Sequence, residues 1–186
     1  MKATGIVRRI DDLGRIVIPK EIRRTMRIAE GTPLEIFTDI DNTITLKKYS
    51  PVKELESIAQ EYAEALSETL NCTVCICDND TIVAVHHGSK KEYNDAGITQ
   101  NVAKIIWDKK NKLINRSSSP NGIVVISEKE SNPDEYCAQC FAPILPEGDA
   151  IGCVIAFSKT PGRDFDDTTL CGVRVTAALL ARQMTV

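Results

Sequence analysis

No apolar run in this chain of 186 residues approaches the roughly 20 residues that cross a bilayer, so no membrane partner is expected. The N-terminus, Met1-Lys2-Ala3-Thr4, leads into polar sequence with no apolar h-region. No secretory signal is therefore expected, and the seven cysteines, an odd number, read as reduced thiols in a cytoplasm. There is no cysteine before Cys72, and the first fifty residues hold only two aromatics, Phe37 and Tyr49. A segment this short buries too little surface to offset a backbone entropy of roughly 1–2 kcal/mol per residue. With no disulfide and no metal ligand set to staple it, oligomerisation is the remaining remedy, and folding of this head is expected to be inseparable from dimerisation.

Charge of one sign is scarce where the other is concentrated. Residues 1–50 carry ten Lys and Arg against seven Asp and Glu, a net of +3, whereas residues 51–186 carry thirteen against nineteen, a net of −6. The whole-chain pI near 5.5 thus hides a basic head on an acidic body, and the local patch is what matters for nucleic acid. The head packs Arg8, Arg9, Arg15, Lys20, Arg23, Arg24 and Arg27 into one short stretch.

Ile6, Val7 and Ile10, then Ile16-Val17-Ile18, read as two short strands around the turn residues Asp11-Asp12-Leu13-Gly14. Pro19 ends the second strand and suits the first turn of a helix from Lys20 to about Met26. Leu34 to Phe37 and Thr43 to Leu46 alternate with period 2 and read as a hairpin joined by Asp39-Ile40-Asp41-Asn42. Ser50-Pro51 marks a boundary, with Ser50 as an N-cap. Leu55, Ile58, Ala59, Tyr62, Leu66, Thr69 and Leu70 then form the apolar stripe of a helix of about twenty residues. This linker helix, 51–71, either packs on the second domain's sheet, pairs with its dimer mate, or both.

Residues 72–186 read as one α+β domain. Strands are expected over Cys72–Cys77, Thr81–His86, Ile123–Ser127, Tyr136–Leu145 and Ala150–Phe157, with helices over Ile98–Trp107 and Leu170–Met184. Trp107, at helical spacing with Val102 and Ile106, reads as core.

From Thr4-Gly5-Ile6-Val7-Arg8 to Leu46-Lys47-Lys48-Tyr49 the sequence closely resembles the AbrB family of bacterial transition-state regulators. The run Asp12-Leu13-Gly14-Arg15-Ile16-Val17-Ile18-Pro19, followed by Glu21-Ile22-Arg23-Arg24, carries the resemblance. The long C-terminal extension resembles that of the family's two-domain sporulation regulators, where it is a GAF domain, a small sensor fold. The resemblance implies an N-terminal, β-rich, swapped-hairpin dimeric domain over 1–50. It implies a C-terminal α+β GAF-like domain with an antiparallel sheet over 72–186. It also implies a transcription regulator that binds double-stranded DNA, acts in sporulation in the cytoplasm of a forespore, and needs no cofactor. Arg8, Arg15, Arg23 and Arg24 match the family's DNA contacts, Arg9 a basic position, and Lys20 a less certain one. Dimerisation through both domains would make a homotetramer, and the GAF-like domain could serve oligomerisation or an unidentified small-molecule ligand.

Guanidinium groups suit this task, because they stay charged and their planar fork meets phosphate or a guanine edge bidentately. With about six phosphate contacts per dimer, affinity should fall with log salt at a slope near −5. The alternatives are a solvated charged face, a redox or ligand sensor acting by protein contact, and an antitoxin with a toxin partner.

Cys72-Thr73-Val74-Cys75 and Cys137-Ala138-Gln139-Cys140 are two CxxC pairs. The gap between them exceeds zinc-ribbon spacing, and i and i+3 on a strand face opposite sides, which disfavours chelation. Buried structural thiols are favoured over a redox or metal site. His86 and His87, adjacent on a strand, are expected to point apart and to end the strand at the surface. Enzymes on the GAF fold, the free methionine sulfoxide reductases, use cysteines near a pocket. No convincing nucleophile–base pair is present here, so no catalytic residue is assigned.

Overall fold

A computed structural model of the chain describes residues 5–26, 28 and 30–184. Two compact units divide at Tyr49 and Ser50.

In the first unit, residues 11–14 close a turn. The Asp11 carbonyl accepts from Gly14 N (3.1 Å), and Asp11 N donates to Arg15 O (3.1 Å). Gly14 sits at φ +75°, a conformation that favours glycine. The two expected strands on either side of this turn do not form within one chain. A strand needs a neighbour along its length for its N–H and C=O groups, and these arms gain no ladder from their own chain. Helix α1 spans Lys20–Thr25, with Pro19 at its N-cap, one position before the helix proper. Strands β1 (Leu34–Thr38) and β2 (Ile44–Lys48) form the expected hairpin in antiparallel register, Ile36 opposite Leu46 and Phe37 opposite Thr45. Its turn is fastened by Asn42 N to Asp39 O (3.1 Å).

The second unit opens with the expected Ser50 cap, whose hydroxyl accepts from Lys53 N (3.3 Å). The single linker helix is in fact two, α2 (Pro51–Glu54) and α3 (Glu56–Leu70), because Leu55 leaves helical geometry at φ −100°, ψ 25°. Strands β3 (Thr73–Asp78) and β4 (Ile82–His86) follow, then α4 (Lys90–Tyr93), α5 (Gln100–Trp107), β5 (Lys112–Asn115), β6 (Ala138–Ile144), β7 (Gly152–Ser158) and α6 (Asp167–Gln183). The five strands make one antiparallel sheet in the order β4-β3-β7-β6-β5.

Strand alternation sorts the side chains into two cores. Val74, Ile76, Cys140 and Val154 face α3 and α6 with Ala59, Ala63, Leu66, Val173 and Leu180. Cys75, Phe141, Ile155 and Phe157 face the other way, toward Tyr93, Val102, Ile106, Ile126 and Tyr136. Gly152 lies where β7 meets β3, and a Cβ there would stand 2.1 Å from the Cys77 carbonyl oxygen, so no larger residue fits.

The expected strand over 123–127 is absent, and the short strand β5 was not expected. Ile123 and Ile126 are buried as a strand would bury them, but the backbone finds a side chain instead of a neighbouring strand. Gln139, fully buried on β6, accepts from Val124 N through Oε1 (3.0 Å) and donates through Nε2 to Val124 O (2.6 Å). Thr99 completes the arrangement, with N to Ile126 O (3.0 Å) and Oγ1 to Val125 O (2.5 Å). Trp107 is 79% exposed and belongs to neither core. It ends α5, where Val102, Ile105 and Ile106 already fill the inward face. Replacing Gln139 by Leu should lower stability by about 1–3 kcal/mol, because the Val124 amide and carbonyl lose their partners. Urea unfolding of the variant against the parent checks this.

Candidate nucleic-acid interface

The six basic residues singled out by the sequence stand on three segments of the first unit, all exposed. Arg8 and Arg9 lie on the arm before the turn, Arg15 at the turn, and Lys20, Arg23 and Arg24 on α1. Lys20 and Arg24 are one helical turn apart and share a face. Arg27, also part of the basic run, lies outside the described residues.

Arg15 is the one whose position the structure explains fully, and the residue responsible, Asp11, was read from sequence only as a turn former. Its Oδ1 accepts from Leu13 N (3.0 Å) and Arg15 N (2.8 Å), fastening the turn. Its Oδ2 takes Nε of Arg15 at 2.7 Å. The Arg15 backbone amide and then its guanidinium hold the Asp11 carboxyl below its ordinary value. An arginine anchored through Nε keeps its terminal nitrogens for a phosphate or a guanine edge. The spacing Asp11-x-x-Gly14-Arg15 was the available signal, a carboxylate at i and a guanidinium at i+4 across a glycine turn.

The surface around these cations is apolar to an unusual degree. Thirteen of the sixteen exposed large hydrophobic residues among those described lie in this unit, from Ile6 and Val7 through Ile36 and Ile44 to Tyr49. Pro19 is the only described residue of 5–49 that is buried.

The second unit holds a polar cluster that the sequence did not signal, since its members are scattered through the chain. The Glu130 carboxylate, in a loop, receives the Tyr93 hydroxyl (2.7 Å), the Tyr136 hydroxyl and the Lys159 ammonium (2.8 Å). Lys159 also reaches Glu135 (2.9 Å). Both tyrosine rings pack against Phe157, at centroid distances of 5.4 and 5.2 Å. Burial pushes the Glu130 carboxyl up, but hydrogen bonds from Lys159, Tyr136 and Tyr93 outweigh it and leave the group below its ordinary value. Burial, together with bonds to the Glu130 anion, raises both tyrosines.

Five of the seven cysteines are buried, Cys137 is half-buried and Cys171 is exposed. The first CxxC pair straddles the sheet, Cys72 in the core under α3 and α6 and Cys75 in the other. Burial raises the Cys72 thiol to about 11 and the Cys140 thiol to about 12, and it raises Cys75, Cys77 and Cys153 as well. Thiols so raised are poor nucleophiles. His86 and His87 do not point apart. His87 has left the strand at φ +56°, and the two rings meet with centroids 5.0 Å apart.

A β-hairpin head bearing arginines, followed by an α+β sheet domain, makes this a two-domain chain. The family model described as "Stage V sporulation protein T C-terminal, transcription factor" matches residues 54–185, and one described as "Antidote-toxin recognition MazE, bacterial antitoxin" matches residues 7–54. Over 184 residues, 99% of each chain, the sequence is 45% identical to stage V sporulation protein T of Bacillus subtilis (strain 168). Over 51 residues, 27% of this chain and 52% of the other, it is 63% identical to transition state regulatory protein AbrB of the same organism. The GAF domain from an Acinetobacter phosphoenolpyruvate-protein phosphotransferase superposes with a TM-score of 0.58 at 12% identity, covering 75% of this chain and 84% of that one. This shows the GAF fold in the second unit. The chain belongs to the stage V sporulation protein T family of transcription factors, with an AbrB-like head.

Because Glu130 is held below the ordinary glutamate value of 4.5, its contribution to stability is fully present above that pH and is lost as pH falls through the lower folded-state value. Glu130→Gln should cost about 1–3 kcal/mol at neutral pH, a range reduced for the partial exposure of Lys159. It should also flatten the acid-side loss of stability. Denaturant midpoints for parent and variant across pH 3–7 (about the range where carboxylates titrate) test both effects.

Proposed function

We propose that two copies of the chain interleave their first fifty residues into one unit that binds double-stranded DNA, with Arg8, Arg9, Arg15, Arg23 and Arg24 on the duplex and Lys20 in a lesser role. The observation that carries this reading is the head's open apolar surface, which surrounds the arginines and finds no core within one chain. A second copy supplies both the missing core and the missing strand neighbours for the arms around the Asp11–Gly14 turn. The cations of two heads then face one partner, which doubles the number of phosphates neutralised. The protein works by binding rather than by catalysis, in the cytoplasm, and its similarity to a stage V sporulation protein supports a role in the forespore.

The second unit contributes a further contact between copies. Val175 and Leu179 stand 53% and 43% exposed, one turn apart on the outward side of α6. Cys171 continues the stripe, and Arg174, Arg182 and Glu147 border the same groove. Charges of both signs beside an apolar stripe suit a self-complementary two-fold contact. Pairing at both ends makes a homotetramer with two DNA-binding heads, which bind more tightly through effective concentration.

Binding of the full chain to a fluorescent duplex across a salt series tests the interface. Arg15→Ala should weaken binding and reduce the magnitude of the salt slope by about 2 for each dimeric unit on the duplex, one phosphate from each of its two chains, while leaving the oligomer intact. An unchanged slope removes Arg15 from the interface. Val175→Glu with Leu179→Glu should halve the mass measured by light scattering without unfolding the second unit. An unchanged mass removes α6 from the contact.

A further inference from the structure

On the seam between α3 and the edge strand β4, three metal-ligating side chains converge. Glu64 and Glu68 stand at i and i+4 on α3, and His86 is the last residue of β4. One donor atom from each lies within 4.8 Å of the others. The two glutamates are exposed and His86 is half-buried.

None of the three is otherwise engaged among the described residues. Neither glutamate is paired with a lysine or arginine, and the His86 side chain makes a ring contact with His87 but no hydrogen bond. Like charges one turn apart on a helix repel by about 0.2–0.5 kcal/mol, and among the described residues no ion pair relieves them. The neighbouring His87 is engaged at Nδ1 by the Ser67 hydroxyl (3.1 Å) and is not among the converging donors. The seam itself is positioned from within, because Gln60 Nε2 on α3 donates to Val85 O on β4 (3.1 Å).

We propose that Glu64, Glu68 and His86 form a binding site for a divalent transition cation of the zinc class. Two carboxylates and an imidazole form an anionic donor set that a dication neutralises, and a nitrogen donor beside oxygen donors favours zinc over magnesium or calcium. Donors on a tetrahedral zinc stand about 3.3–3.4 Å apart, given bonds near 2.0–2.1 Å. Exposed glutamate side chains close the remaining gap by rotamer change, and water takes the fourth position. The bound ion ties α3 to the sheet edge, so its binding stabilises the folded second unit.

The test uses the tag-free full-length chain. Thermal melting with Zn2+ should show a rise of about 3 °C or more once the ion exceeds its Kd tenfold. His86→Gln, and separately Glu64→Gln with Glu68→Gln, should weaken Zn2+ binding in calorimetry by at least about tenfold, the loss that even an outer-shell partner's removal can bring. Substitution with Co2+ should give weak d–d absorption without a thiolate charge-transfer band. The proposal is overturned by any of three results: no thermal shift in the parent, the same affinity in the parent and both variants, or a thiolate band that places the metal on the cysteines.

Discussion

The structure depends first on apolar surface that a single head cannot cover. Leu34, Ile36, Phe37, Ile44 and Leu46 sit on a well-formed hairpin, yet none of them is buried. Hairpins of two strands are marginal in water without a further layer, and the proposed second copy is that layer. The gathering of the basic residues into the proposed DNA-facing surface is then a consequence of assembly. Arm, turn and helix each carry part of the basic set, and the proposed interleaving of two chains is what gathers them. Asp11 supplies local order that needs no partner, since it closes the turn and aims Arg15 with a single carboxylate.

The second unit solves the opposite problem. Its sheet has two covered faces, so most apolar side chains on β3, β6 and β7 are committed to one core or the other. Alternation on these strands separates the members of the first CxxC pair by the thickness of the sheet, and burial raises the buried thiols away from reactivity. The same packing explains the loop over 123–127, which Gln139 holds as firmly as a strand partner would.

Legibility from sequence followed the range of the interactions. Local chemistry was readable: the Ser50 cap with Pro51, the Asp39–Asn42 turn, α1 after Pro19, and the alternation in β6 and β7. The AbrB-like run was readable because it is dense and contiguous. Errors arose where a distant side chain decided the outcome. Ile123 to Ser127 has a strand's composition, but a buried amide on another strand replaced the ladder. Leu55 lies on the apolar stripe, yet the helix breaks there. Trp107 has core spacing, but its end of α5 runs past the core. The Glu130 cluster draws on four separated segments, and no local pattern could have joined them.

Where the chain enters the second unit, it is fixed at a point. The Ser50 hydroxyl donates to Asp78 Oδ2 (2.8 Å), while Asp78 Oδ1 holds the amides of Asp80 (2.8 Å) and Thr81 (2.6 Å) at the β3–β4 turn. Val52, two residues on, is fully buried. In mechanical terms this is a clamped end rather than a pinned one. The pair α2 and α3 is part of the wall of the unit, not a free-standing rod, so a strain arriving along the backbone at Ser50 is delivered to the tip of β3 instead of being carried down a lever.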